Sequence, residues 1–258
     1  MQFTRAIARL PSENLSAGIA SPIGGGNPDS ALALAQHGQY CSALRACGLQ
    51  VEILPADSRH PDSTFIEDTA VLTSHAAIIT RPGASSRLGE TATTLVTVRG
   101  LFDTIRQIRP PGTLDGGDVC EVDGQFIIGL SERTNEEGIR QLTAFLAEFG
   151  YKSLVIDIRE CKSLLHLKSG MSYIGGGVFV ISPETPFAEA LARYQLITVA
   201  AEESYAANCV RVNEQVLLAA GFPRTAETLS AHNFRLLTVP MSEFRKMDGG
   251  LSCLSLRF

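Results

Sequence analysis

The side chains of this sequence that could carry covalent chemistry are one cysteine, one histidine and a set of carboxylates. In the stretch MDGGLSCLSLRF, Cys253 follows a glycine pair within an otherwise strand-like tail. A thiol attacks only as thiolate, which needs partial exposure, a favourable field and a histidine within reach. The neighbouring sequence supplies no histidine. His166, in LLHLKSG, stands among apolar residues, where it is either a satisfied core histidine or a general acid/base; His37, His60, His75 and His232 have no comparable setting. If Cys253 is a nucleophile rather than a small buried residue, the fold must bring distant segments together.

Two acidic groups accompany them. HPDSTFIEDTAV places Asp62, Glu67 and Asp68 beside the strand-like residues Phe65, Ile66, Val71 and Leu72. This is either a solvated loop or a nest of acceptors suited to a guanidinium, which is planar and presents several N–H donors. TLDGGDV carries Asp115 and Asp118 around Gly116 and Gly117. The glycines permit close backbone approach or positive φ, and a plain turn before a hairpin explains them equally well. Arg87, in RPGASSRLGE, and Arg133, just before a helical segment, are singly ordinary surface charges; as a pair they could fork onto a carboxylate.

Composition bounds the setting. A chain of 258 residues with 45% apolar and 19% charged residues can bury a core and is not disordered. Its net charge of −5 and the lack of a long basic run argue against nucleic acid or an anionic membrane as partner. The six cysteines form no C-x-x-C pair and no zinc spacing, so most read as buried thiols in a reducing compartment. No apolar run reaches the ~18–20 residues of a membrane span. MQFTRAIARLPSENL lacks the apolar stretch of a signal peptide, so a cytoplasmic protein is expected.

The elements that must position these groups alternate between helix and strand. Thr134 and Glu137 form a T-x-x-E capping box ahead of Ile139, Leu142, Phe145, Leu146 and Phe149 on one face, with Gly150 as terminator. Further helices are expected over about Asp29 to Cys47, Thr91 to Leu101, Phe187 to Tyr194 and Thr225 to His232. Hairpins are expected at Thr69 to Thr80, at Asp118 to Leu130 around Asp123–Gly124, at Ser169 to Ser182 around Gly175–Gly177, and at Cys209 to Ala219 around Asn213–Glu214. Val51–Leu54, Leu154–Ile158 and Leu236–Val239 read as single strands, and Gly24–Pro28 as a mobile loop. The hairpin–helix–strand unit recurs about every 40–50 residues, a period that suggests a radial repeat. A fifth hairpin would join the two ends, Thr4–Arg9 pairing with Ser252–Phe258. An ordinary layered α/β fold is the alternative from pattern alone.

The segments FIEDTAV, IITRPGASSR, LDGGDV, GLSERTNEEG, LHLKSG, AANC and the ending DGG-S-C-LSLRF closely resemble the dimethylarginine dimethylaminohydrolase family, of the pentein or guanidino-modifying superfamily. They run in that family's order across nearly the whole chain. The resemblance implies a five-bladed, pseudo-symmetric α/β propeller over residues 1–258, a single catalytic domain with its active site in the central channel. It implies hydrolysis of N-omega-methylated arginines to citrulline and an amine through a covalent cysteine intermediate, with a small-molecule substrate and no required cofactor or metal. By resemblance Cys253 is the nucleophile, His166 the general acid/base and Asp115 the acid that orients it. Asp68 and Asp248 are the guanidinium ligands, with Glu67 in support. Asp62 takes the substrate α-amino group, and Arg87 with Arg133 the carboxylate. Met247 falls where a backbone carbonyl meets substrate, and Ile19 where the lid loop of the family commonly has Leu. A soft metal such as zinc could bind Cys253 and His166 and inhibit. Whether the chain is a monomer or a homodimer is left open.

Three other readings remain at this level. One is an arginine or agmatine deiminase of the same superfamily, against which stand the chain length and the Arg87/Arg133 pair. Another is a non-catalytic pentein such as a ribosome-binding anti-association factor, which would not need Cys253, His166 and the acids together. The third is a structural α/β domain with a merely buried cysteine.

Overall fold

All the hairpins expected from turn chemistry are present in the computed structural model, which describes residues 2–20, 26–185, 187 and 189–258. From the N-terminus come β1 (Arg5–Arg9), α1 (Ser30–Ala46) and β2 (Gln50–Leu54). The next unit is β3 (Ala70–Leu72), β4 (Ala77–Ile79), α2 (Thr91–Arg99) and β5 (Ile105–Gln107). It is followed by β6 (Val119–Val122), β7 (Gln125–Leu130), α3 (Glu136–Ala147) and β8 (Lys152–Asp157). A short helix α4 (Leu167–Gly170) leads into β9 (Met171–Tyr173), β10 (Val178–Ile181) and β11 (Gln195–Thr198). Then come β12 (Val210–Val212), β13 (Gln215–Ala219), α5 (Pro223–Ala231) and β14 (Arg235–Val239), with α6 (Ser242–Arg245) and β15 (Ser255–Arg257) after them.

The strands form five sheets of three: β15-β1-β2, β3-β4-β5, β6-β7-β8, β9-β10-β11 and β12-β13-β14. In each, the first two strands are antiparallel and the third runs parallel to the second. A parallel neighbour requires a crossover, and the helices or turns between them provide it. The left-handed residues sit where the hairpins need them: Asp123 and Gly124 at φ +47° and +79°, and Asn213 at φ +55°. The first sheet joins the two ends of the sequence, with Ala6 opposite Arg257, Ile7 opposite Leu256 and Ala8 opposite Ser255. The result is a five-bladed α/β propeller.

Each sheet is preceded by a short helical turn: Ser252–Leu254 before β15, Ile66–Thr69 before β3, Gly116–Asp118 before β6, α4 before β9 and Ala201–Ala207 before β12. These lead-in turns touch in sequence. Ile66–Thr69 packs on both Ser252–Leu254 and Gly116–Asp118, and α4 packs on both Gly116–Asp118 and Ala201–Ala207. Hydrogen bonds between Asn208 and Ser252 complete the circuit. Every group singled out above except Ile19, Asp62, Arg87 and Arg133 lies on one of these turns or within five residues of its start.

Two sequence expectations fail locally. The cap of α3 is Asn135, whose Oδ1 accepts from Gly138 N at 2.8 Å, and not Thr134. Thr134 Oγ1 instead donates to the Asp118 carboxylate at 2.7 Å and accepts from Asp115 N at 3.1 Å rather than from a helix amide, and Glu137 pairs with Arg140. Phe187 to Tyr194 is a run of turns among the described residues. Leu191 N still donates to Phe187 O at 3.0 Å and both side chains are buried, so the i,i+4 spacing reports packing without a regular helix. Of the loop expected at Gly24–Pro28, Gly24 and Gly25 lie outside the described residues.

The closure is hydrophobic as well as hydrogen-bonded: Ile7 and Leu256 are buried in one cluster with Ile66, Ile79 and Val98. Leu256→Ala should lower unfolding free energy by about 2–4 kcal/mol in urea denaturation. Leu154→Ala, on the exposed outer strand β8, should cost less than about 0.5 kcal/mol. Equal costs would mean that the terminal strand is not integral to the first sheet.

Candidate active site

Glycines bring the turns close enough to form a site. A Cβ on Gly116 would overlap the Glu67 carbonyl oxygen, and one on Gly117 would lie 2.8 Å from the His166 ring and 3.0 Å from Asp68 Oδ1. Neither glycine has positive φ. The pair in LDGGDV therefore serves close approach, which decides between the two uses glycine offers. The pair before the cysteine does the same: a Cβ on Gly249 would overlap the Phe65 ring, and one on Gly250 would overlap the Asn208 side chain.

His166 caps α4 and lies almost buried, with Nε2 3.0 Å from Asp115 Oδ2. The other Asp115 oxygen accepts from Gly83 N at 2.8 Å. Asp68 accepts from Gly117 N at 2.8 Å through Oδ1 and from Arg87 Nη1 at 2.6 Å through Oδ2. Burial opposes the histidine charge, but nearby Asp68, the hydrogen bond to Asp115 and the charge of Asp118 together raise His166 to about 9. Burial also opposes the Asp68 carboxylate, and His166 with Arg87 overcomes it, holding Asp68 down at about 2. At neutral pH the two are an imidazolium and a carboxylate. Cys253 behaves oppositely: burial of its sulfur, then the charges of Glu67 and Asp68, push the thiol up to about 12, despite a hydrogen bond from Gly250 N at 3.3 Å. The resting cysteine is a thiol.

One cleft is lined by Ile19, Asp62, Asp68, Arg87, Asp115, Arg133, His166, Met247, Asp248 and Cys253, and an adjoining one by Glu67 together with His166, Asp248 and Cys253. The structure thus gathers Cys253, His166, Asp115 and every residue that the resemblance assigned to substrate binding, while Asp118 lines neither cleft. Their states differ. Both Asp62 oxygens accept from Ile19 N, at 3.0 and 3.2 Å, tying the Ile19 segment to the cleft. Burial raises the Asp62 carboxyl although Arg87 pulls it down. Arg87 is buried between Asp68 and Glu90, with Nε and Nη2 on Glu90, Nη1 on Asp68 and Nη2 also on Phe65 O at 3.0 Å. Arg133 is partly exposed, and among the described residues its guanidinium makes no hydrogen bond or ion pair. The two arginines are therefore not a symmetric fork. Met247 buries its side chain in the core beside the cleft. Asp248 sits at φ +57°, a left-handed turn that Asp tolerates better than most residues. Glu67 accepts from Lys168 Nζ at 2.6 Å and from Ser252 Oγ at 2.7 Å, closing the floor below Cys253.

The family model described as "N,N dimethylarginine dimethylhydrolase, eukaryotic" matches residues 27–251. The N(G),N(G)-dimethylarginine dimethylaminohydrolase of Pseudomonas aeruginosa is 43% identical over 99% of this chain and 100% of its own. This chain belongs to the dimethylarginine dimethylaminohydrolase family. A solved structure of the Pseudomonas aeruginosa enzyme, a cysteine-to-serine mutant complexed with citrulline, superposes with a TM-score of 0.96 at 42% identity and full coverage of both chains. The N-terminal domain of a cyanobacterial arginine dihydrolase shares the fold at TM-score 0.89 and 17% identity, covering 100% of this chain and 97% of that one.

In this dimethylarginine dimethylaminohydrolase family member, sequence reasoning singled out Asp118 without giving it a role and missed Glu90 and Asn208. Asp118 accepts from Ser131 Oγ, Thr134 Oγ1 and Leu167 N, fastening the turn that carries His166. Glu90 neutralises Arg87, and Asn208 ties Ser252 to Lys168. The spacing T-x-x-E masked the role of Thr134, and an isolated Asn or Glu in a turn carries no signal without its partner. One atom each of Asp68, Asp115 and His166 lie within 4.8 Å of one another, a spacing a cation could use. Arg87 is already bonded to Asp68 and the raised His166 holds its proton, so a metal would have to displace both.

The charge on His166 couples fold to pH. Its folded value lies above the ordinary 6.5, so its contribution is complete below pH 6.5 and is lost as pH rises through about 9. Urea midpoints should fall between pH 6.5 and 9, and His166→Asn should flatten that limb. An unchanged slope in the variant would assign the alkaline loss elsewhere.

Proposed function

We propose that this chain hydrolyses N-omega-methylated arginines, asymmetric dimethylarginine and monomethylarginine, to citrulline and di- or monomethylamine. The observation that carries this is the convergence of Cys253, the His166–Asp115 pair and the carboxylates Asp68 and Asp248 on one cleft. Asp68 keeps unused lone pairs on both oxygens after its bonds to Arg87 and Gly117, so it can accept guanidinium N–H groups. Asp62 suits the α-amino group. Arg133, whose guanidinium is open, is the principal partner of the α-carboxylate, and Arg87 adds at most the Nη1 hydrogen left over from its buried bonds. The backbone at Met247 and the side chain of Ile19 border the same cleft.

The reaction begins with a thiol raised to about 12, so the enzyme alone offers little thiolate. A guanidinium held beside the sulfur supplies the opposing charge, and the thiol proton leaves to solvent. Sulfur attacks the central guanidinium carbon while Asp68 and Asp248 hold the nitrogens that stay. His166, raised to about 9, gives its proton to the nitrogen carrying the methyl groups, and the C–N bond breaks to release the amine. The remaining S-alkylthiouronium is attacked by water, whose proton goes to the now neutral His166. Collapse to the urea carbonyl expels sulfur, which takes up the carbonyl proton as the thiol re-forms. Asp115 keeps the imidazole oriented through both steps. Every proton has a protein or solvent partner, so no cofactor or metal is needed. Zinc on Cys253 and His166 would inhibit. We further propose that residues 1–258 act as one catalytic unit, since its first sheet takes strands from both ends. The six unpaired thiols suit a reducing cytoplasm.

The test is citrulline release from dimethylarginine, monomethylarginine, arginine and agmatine, with and without a chelator. Methylated substrates should be preferred and the chelator should leave rates unchanged; preference for arginine or agmatine would make the protein a deiminase. Cys253→Ser should abolish turnover with substrate affinity retained, and His166→Asn should lower kcat by about 10²–10⁴-fold with little change in binding. Quenched wild-type reactions should carry the adduct on the peptide containing Cys253; an adduct on any other cysteine contradicts the assignment.

A further inference from the structure

Four residues that line the adjoining cleft form a closed hydrogen-bond ring, each from a different blade. Lys168 Nζ donates to Glu67 Oε1 at 2.6 Å, and Ser252 Oγ donates to Glu67 Oε2 at 2.7 Å. Asn208 Nδ2 donates to Ser252 Oγ at 3.1 Å and to the Lys168 carbonyl at 2.7 Å, and Asn208 Oδ1 accepts from Ser252 N at 3.0 Å. Asn208 is the one member whose side chain grips main chain on both sides. On one side is α4, whose cap is His166. On the other is the turn of Cys253, where Cys253 N donates to Gly250 O at 3.2 Å and Gly250 N donates to the sulfur at 3.3 Å. Gly250 lies so close to Asn208 Oδ1 that no Cβ fits between them. The amide that points Gly250 N–H at the sulfur is thus held by contact with the same side chain that holds the histidine's helix.

We infer that Asn208 is a positioning residue that sets the Cys253 sulfur against His166 by clamping their two turns together. This rests on the assignment of Cys253 and His166 given above. The effect is geometric. Asn208 carries no charge and takes no proton in the reaction, and the groups that hold the amino-acid end of the substrate, Asp62 and Arg133, lie on other segments. Losing the clamp lets the turn Gly250–Cys253 relax toward the space left behind. A displacement near 1 Å at the reacting atoms costs on the order of 100-fold in rate.

The experiment measures kcat, KM and adduct occupancy for Asn208→Ala and for Asn208→Leu, well below their melting temperatures. Asn208→Leu keeps the approximate shape and adds no charge while losing the donors to Lys168 O and Ser252 Oγ and the acceptor for Ser252 N, so it decides by the same criteria if the alanine variant does not fold. The expected result is a fall in kcat of about 100-fold, KM within about threefold of the parent, and less covalent adduct at quench. A residue that only stabilises the fold would lower the melting temperature and leave kcat of the folded protein intact. A kcat within threefold of the parent, or a loss confined to KM, overturns the inference. Cys253→Ser in the same assay separates the two claims: turnover by that variant sinks the nucleophile assignment, whereas its inactivity beside an unimpaired Asn208 variant sinks only the clamp.

Discussion

Buried charge governs how this molecule is put together. Asp68, Asp115, Asp118 and Glu67 are all withdrawn from water around one small cleft. Carboxylates in such a place survive ionised only if cations or N–H donors reach them. Arg87 and His166 reach Asp68 and Asp115, Lys168 reaches Glu67, and two hydroxyls with one amide reach Asp118. Arg87 serves Asp68, and Ser131 and Thr134 serve Asp118, from within the same blade, whereas His166, Lys168 and Leu167 N reach across from the lead-in turn of another. Blades must therefore be in register before these charges are fully compensated, and the propeller's geometry and the site's electrostatics are one requirement.

The same requirement sets the chemistry. The buried carboxylates keep the imidazole protonated, and burial of the sulfur, with the charges of Glu67 and Asp68, keeps the cysteine a thiol, so a protonated histidine stands beside a poor nucleophile. A cationic ligand beside the sulfur offsets the second effect. The proton held ready for the departing amine and the selectivity for a guanidinium both draw on the same excess of negative charge. Arg87 marks the limit of that excess: between Asp68 and Glu90 it compensates the protein's own acids before it can serve a ligand.

Much of this was legible in the residues. Asp123–Gly124 and Asn213 announced their hairpins because positive φ restricts residue choice. The alternation of hairpin and single strand gave the five units, and β1 with β15 pairs as the pattern of the two ends suggested. The position of a cap was not legible: Thr134 satisfies a capping pattern and yet serves Asp118, a partner that only tertiary structure introduces. Neither was the short run after Phe187, where buried side chains recur without a regular helix among the described residues. Within the site, glycine pairs and clustered acids could be noticed as letters, but the inequality of Arg87 and Arg133 and the bridging by Asn208 depend on which groups face each other across the channel.

The pairing of β1 with β15 also orders events in time. Four blades are contiguous in sequence and can close as they are made, while the remaining one waits for a strand encoded far downstream. Contacts of such sequence separation form late. Cys253 precedes that strand by two residues, so a growing polypeptide owns its acids and its imidazole well before it owns a sulfur to aim with them. Competence for covalent chemistry arrives in the same step that turns an open arc of blades into a ring.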